Sequence, residues 1–299
     1  MKKLPIYILV ALALFSCKEQ YTKYSDAEYV MFADSISTNM VQKEQSRFTV
    51  AVSSTVARSY DRTFGVEVVD AGSNAIEGKH YRLLTSSVTI PAGELAADVE
   101  VEGIYDNIEA TDSLGFKLRL VMAEQLKWDL YKDSDMTKVV MYKSCPFDRN
   151  TFTGYAVLTS LLLRDYPGEN VSFQRLVYTE AHPTEESMII VRSAFYDGYD
   201  ITLTLHSEDA AEPRITMDKD QVLSDEASVF GQILGDNHIL GDDSPYYTSY
   251  FNTCQRFAVL WLRVYVENLG TTIGTVGNYY NVIEWISDEE ADRLKREGL

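Results

Sequence analysis

The strongest constraint in this chain is an alternation of period two that recurs through most of its length. Phe48, Val50 and Val52 share it, and Phe64, Val66 and Val68 repeat it. Val88 and Ile90, Val99 and Val101, and Phe116, Leu118 and Leu120 continue it, with Glu100, Glu102, Lys117 and Arg119 interleaved. Successive strand side chains point to opposite faces, so each run has one apolar face and one wet face. That is the pattern of half-buried antiparallel strands. Turn chemistry separates them at Asp70-Ala71-Gly72-Ser73-Asn74 and at Pro91-Ala92-Gly93.

A chain of 299 residues has the length of two domains. The first unit is read as a β-sandwich over 29–145, the second as a β-rich sandwich or barrel-like domain over 146–299. Glu124–Tyr131 suits either a short helix or the start of a strand, and Lys132–Thr151 is mixed. In the second unit the strand candidates are Phe152–Leu163, Phe173–Tyr178, Met188–Arg192, Ile201–His206, Arg214–Met217 and Phe257–Val266. Phe257–Leu262 (FAVLWL) is almost continuously apolar, which predicts a central strand covered on both faces. Gly270, Gly274 and Gly277 read as a turn-rich hairpin, and Val282–Ile286 ends the fold. Ser287–Gly298 then has a Ser cap, acids in its first turn and bases later, which predicts a short surface helix. The fold class expected is mainly β.

The first residues give an address. Lys2 and Lys3 precede an apolar run, Ile6–Phe15, of signal-peptide length and far short of a bilayer span. Residues 1–16 are therefore expected to be a leader. Leu14-Phe15-Ser16-Cys17 resembles the bacterial lipobox, which implies a lipid anchor (diacyl and palmitoyl chains) on Cys17 and stable membrane attachment. Lys18-Glu19-Gln20 is similar to the signal that carries Bacteroidetes-type lipoproteins to the outer face of the outer membrane. Residues 17–28 then form a polar tether. Cys145 and Cys254 remain, in a compartment where disulfides persist. A bond between them would close about 109 residues and contribute on the order of 4–5 kcal/mol. Two separate buried thiols are the simpler reading and the one adopted at this point.

Asp70–Tyr81 (DAGSNAIEGKHY), followed by Val88-Thr89-Ile90-Pro91-Ala92-Gly93-Glu94, resembles the strand-turn segment of Calx-beta domains. Ala75, Gly78, Tyr81, Gly93 and Glu94 fall on matching places. The likeness extends over residues 29–122 and is shared by N-terminal domains of unknown function in Bacteroidetes surface lipoproteins. It implies an Ig-like sandwich and raises calcium as a cofactor. His80 stands where that family has an aspartate, however, and Tyr105-Asp106-Asn107-Ile108-Glu109 keeps one aspartate of two. Calcium needs about 6–8 oxygen ligands, so the expectation is no cofactor.

No catalytic motif is visible. His80, His182, His206 and His238 are far apart, with no H-E-x-x-H spacing, and G-x-S-x-G, a P-loop and C-x-x-C are all absent. Asp242-Asp243 is the most suggestive acidic pair and reads as part of a solvated loop. A net charge of -18 and a pI near 4.6 exclude nucleic acid as a partner.

Binding is better supported. The chain has 20 Tyr, 12 Phe and 3 Trp. Core packing accounts for Phe257, Trp261 and Tyr265. It accounts less well for Tyr246, Tyr247 and Tyr250, or for Tyr196 and Tyr199 in a turn, with Tyr279-Tyr280 a third cluster. Rings beside hydroxyl and carboxylate acceptors on loops suit a sugar. The function expected is a non-catalytic surface lipoprotein that binds or presents a polymer, most plausibly a glycan, to an outer-membrane transporter. The alternatives are an adhesive module that self-associates or binds host protein, and a glycoside hydrolase with dispersed carboxylates.

Overall fold

The computed structural model describes residues 24, 27–128, 130, 133–165, 173–224, 239–268 and 271–299. The leader over 1–16, the anchor Cys17, the Lys18-Glu19-Gln20 signal, His238 and Gly270 lie outside the described residues.

Nine strands come first: β1 (Val30–Phe32), β2 (Ile36–Gln42), β3 (Arg47–Ser54), β4 (Arg62–Val69), β5 (Tyr81–Leu83), β6 (Ser87–Ile90), β7 (Ala96–Gly103), β8 (Leu114–Val121) and β9 (Met136–Ser144). They form two sheets, ordered β1-β3-β7-β5 and β2-β9-β8-β4-β6. The alternating apolar residues meet between the sheets, with Val50, Val52, Val99 and Val101 on one side and Phe64, Val66, Leu118 and Leu120 on the other. At the centre the rings of Tyr81 and Phe116 stack 3.7 Å apart, and both are fully buried. This is the expected β-sandwich. The β2–β9 pair is parallel, from Ile36 opposite Lys138 to Gln42 opposite Ser144, because the long path between the two strands frees their relative direction. β9 lies in the stretch read as mixed; Val140 and Tyr142 on its second face hide the alternation of Thr137, Val139 and Met141. Glu124–Leu126 is a single 3-10 turn.

Where the chain enters the sandwich, a charge is buried. Arg62 donates to Glu28 at 2.7 Å, to Ser54 Oγ at 2.8 Å, and to the carbonyls of Val56 and Glu94 at 2.7 Å each. Glu28 also accepts from Arg58 at 2.8 Å. Burial pushes the Glu28 carboxyl up, but the hydrogen bonds and charges of Arg62 and Arg58 outweigh it and hold the group below its usual range.

The remaining strands are β10 (Gly154–Ser160), β11 (Gln174–Ala181), β12 (Met188–Arg192), β13 (Ile201–His206), β14 (Arg214–Met217), β15 (Gln221–Ser224), β16 (Ile239–Asp243), β17 (Tyr250–Asn252), β18 (Phe257–Asn268) and β19 (Thr271–Trp285). β18 pairs with β17 and β16 along one edge and with β19 along the other; β19 pairs with β10, and β10 through β14 follow in order back to β17. The sheet therefore closes into an antiparallel barrel. Its interior is packed with side chains such as Leu158, Val191, Leu203, Ile215, Phe251, Leu260 and Ile283. The bend at Ser160 ends β10 three residues before the strand expected there. Ser160 Oγ accepts from Leu162 N–H, opening the short helix α1 (Leu161–Asp165). The C-terminal helix α2 (Asp288–Glu297) has Ser287 as its N-cap, accepting from Glu290 N–H. Gly298 ends it at φ +93°, a conformation suited to glycine.

Cys145 and Cys254 are bonded, with Cα atoms 5.1 Å apart. This corrects the expectation of separate thiols. The turn between β17 and β18 is folded back onto the segment leaving the sandwich, where Thr253 Oγ1 donates to the Cys145 carbonyl at 2.9 Å. Only that tertiary approach brings two residues so distant in sequence within bonding reach.

Candidate functional site: an aromatic platform outside the barrel

β18 determines the site. Ala258, Leu260, Leu262 and Val264 point into the barrel and are fully buried. Period two then turns Phe257, Val259, Trp261 and Arg263 outward. The connection from β16 to β17 is pinned across this outer face. Ser244 N–H donates to the Trp261 carbonyl at 3.0 Å, and Trp261 N–H donates to Ser249 Oγ at 2.9 Å. Of the intervening residues, Tyr247 is held over Trp261. Tyr247 stacks on the indole at 4.3 Å and 27°, while Tyr280 of β19 meets its other side edge-on at 5.0 Å. Tyr250 of β17 packs edge-on against Phe257 at 6.2 Å.

These tyrosines remain open to water: Tyr246 is 76% exposed, Tyr247 53%, Tyr250 45% and Tyr280 38%. Val259, between the two aromatic pairs, is buried although it faces outward. The expectation of a strand covered on both faces therefore holds for Val259, whereas Trp261 lies at the surface, covered in part by Tyr247. Beside Tyr250 opens a groove of about 340 Å³, lined by Ala211, Glu212, Pro213, Arg214 and Thr248. Pockets that take small ligands begin at about 300 Å³. Arg214 is paired with Glu212 at 3.3 Å. Farther along β18, Arg263 grips Asp242 with two hydrogen bonds, one of them 2.8 Å, and its guanidinium lies 4.7 Å over the Tyr265 ring. The bond to Asp242 raises the already high pKa of Arg263.

The other tyrosine pair lies elsewhere. Tyr196 and Tyr199 occupy the turn between β12 and β13, on the opposite wall of the barrel from β18, and Tyr196 packs against the barrel core. Of the five tyrosines singled out in the sequence, three belong to the platform and these two do not. Tyr280 belongs to it as well, while its neighbour Tyr279 packs into the barrel core. Trp261 and Phe257 are at its centre, although their sequence context assigns them to packing. The available signal was their phase: both alternate with Ala258, Leu260 and Leu262.

The acidic pair is not in a solvated loop. Asp242 and Asp243 end strand β16, and Asp242 is 3% exposed. Both line one pocket, together with His206, Thr216 and Lys219. Asp242 holds Arg263, whereas Asp243 accepts from Met217 N–H at 3.0 Å, sealing the seam where β14 and β17 share a single residue pair. Burial, the largest influence, raises the Asp243 pKa. The calcium end of the sandwich does not fit the ion either. His80 is buried with Nδ1 accepting from Ile76 N–H at 3.0 Å, and Asp112 accepts from Glu109 N–H at 3.0 Å. Among the described residues no three His, Cys, Asp or Glu side chains gather as metal ligands, and no helix is long and apolar enough to cross a membrane.

The molecule is thus a mainly β protein whose filled barrel carries a partly exposed cluster of aromatic rings on its outer wall. Residues 131–297 match the family described as Domain of unknown function (DUF4984), and the chain belongs to that family. Similar solved structures include a Bacteroides ovatus protein of unknown function, 12% identical, covering 90% of this chain and 92% of its own, with a TM-score of 0.35. A second Bacteroides ovatus protein, provisionally described as carbohydrate-binding, is 11% identical over 84% of this chain and 74% of its own, with a TM-score of 0.31. The apo-form Calx CBD1 domain is 18% identical over 40% of this chain and 98% of its own, with a TM-score of 0.32. No curated protein matches the sequence.

Proposed function

We propose that this protein is a non-catalytic, lipid-anchored surface protein that captures a glycan on the outer wall of its barrel. The observation that carries the reading is the Tyr247–Trp261–Tyr280 cluster on the outer wall, in which both tyrosines are exposed to water. The apolar C–H face of a sugar covers such a ring, while its hydroxyls reach neighbouring polar groups; Glu212, Arg214 and Thr248 border the platform at the groove. A non-catalytic role is supported by Asp242, both of whose oxygens are held by Arg263, and by Asp243, which accepts from Met217 N–H. Attachment through Cys17 at the outer face of the outer membrane, and delivery to a transporter there, rest on the leader sequence alone.

Affinity electrophoresis of the protein through gels containing neutral and charged polysaccharides tests this reading. Retardation by at least one polysaccharide, abolished in Trp261→Ala, is expected. Unretarded migration of the wild-type protein in every gel overturns it.

A further inference from the structure

We infer that the platform grips several consecutive sugars of a linear, uncharged polysaccharide laid along β18, rather than a single sugar; this rests on the glycan reading above. Two aromatic pairs stand in line on one strand face, Tyr250 with Phe257 and Tyr247 with Trp261. Phe257 and Trp261 are four positions apart on β18, so the line of rings extends roughly 13 Å along the strand, with Tyr250 standing between them opposite Val259. That span exceeds one pyranose ring. A monosaccharide can occupy either pair, and only an oligomer can occupy both.

At the Tyr250 end the surface continues into the groove of Ala211–Arg214, and past Trp261 the next outward residue of β18 is Arg263.

The charges around the track select the ligand's charge. Of its neighbouring cations, Arg214 and Arg263 are matched by carboxylates, Glu212 and Asp242, and Arg256 beside Phe257 donates to the Thr151 carbonyl at 3.3 Å. Glu284 lies opposite Phe257 on β19 and is exposed. With a chain charge of -18, the surface repels polyuronates and sulfated glycans at long range.

Isothermal titration calorimetry with the full chain and length series of neutral linear oligosaccharides, glucose- and mannose-based, mono- to octasaccharide, tests the inference. Affinity is expected to rise by about tenfold or more between the monosaccharide and the length that reaches both pairs, each tenfold being 1.4 kcal/mol, and then to level off. Tyr250→Ala, at an exposed position, is expected to lower affinity for long oligomers by a larger factor than for the shortest binders. Monosaccharide binding as tight as octasaccharide binding, or tighter binding of a length-matched oligouronate, overturns the inference while the glycan reading stands. If no saccharide of any length or charge binds, both fall together.

Discussion

The sandwich and the barrel each contain a stacked aromatic pair, and the two pairs have opposite fates. Tyr81 and Phe116 stack at 3.7 Å between two sheets with no exposed surface. Tyr247 and Trp261 stack at 4.3 Å on an outer wall, with the tyrosine half in water. The contact chemistry is the same, a ring–ring interaction of about 0.5–1.5 kcal/mol beyond area burial. The first pair completes a core that would otherwise hold a void. The second covers a barrel that Leu260, Leu262 and their neighbours already fill. An aromatic pair that the core does not require is free to serve a ligand.

The largest expected effect concerns the link between the two bodies. Replacing both Cys145 and Cys254 by Ser opens a loop spanning 109 residues and is expected to lower stability by about 4–5 kcal/mol, measured as a shift in the urea midpoint. An unchanged midpoint would mean that the β17–β18 turn is held to the sandwich side by its hydrogen bonds alone.

Truncating the two stacks separates their roles. Phe116→Ala leaves a cavity in the sandwich and is expected to cost about 3–5 kcal/mol. Trp261→Ala, on the outer wall and with two ring contacts, is expected to cost less, about 1–2 kcal/mol, in the same unfolding measurement. Equal losses would make the outer pair part of the barrel's packing and remove the contrast.

The smallest effect is a pH dependence confined to the sandwich. Because Arg62 and Arg58 lower the Glu28 pKa below 4.5, this group binds fewer protons folded than unfolded. Its contribution is complete above the unfolded value and is lost as pH falls through the folded one. Thermal melts from pH 6 down to pH 3 should therefore show a loss that Glu28→Gln diminishes. The same slope in both proteins would assign the acid sensitivity to other carboxylates.

Much of the frame was legible from the sequence. Ile201–His206 and Arg214–Met217 are strands with the bounds that alternation and turn residues indicate, and Ser287 and Gly298 cap the last helix as their types require. β9 and β16 were harder to read. Val140 and Tyr142 place apolar residues on both faces of β9, and Asp242 and Asp243 give the end of β16 the composition of a loop. Of the site, the tyrosines of the β16–β17 connection stood out because they lacked strand partners. Trp261 did not, because FAVLWL offers apolar residues to either face.

Local preference, then, determined that this chain is built of strands, where most of them start and stop, and how it ends. The closure of the sheet into a barrel decided which apolar face of β18 went inward. The same closure placed Tyr196 across the barrel from Tyr247, and the fold beyond it brought Cys254 to Cys145. Alternation distinguishes two faces of a strand but cannot say which will be wet when both are apolar. That choice belongs to packing, which satisfies one face and leaves the other for solvent or a ligand.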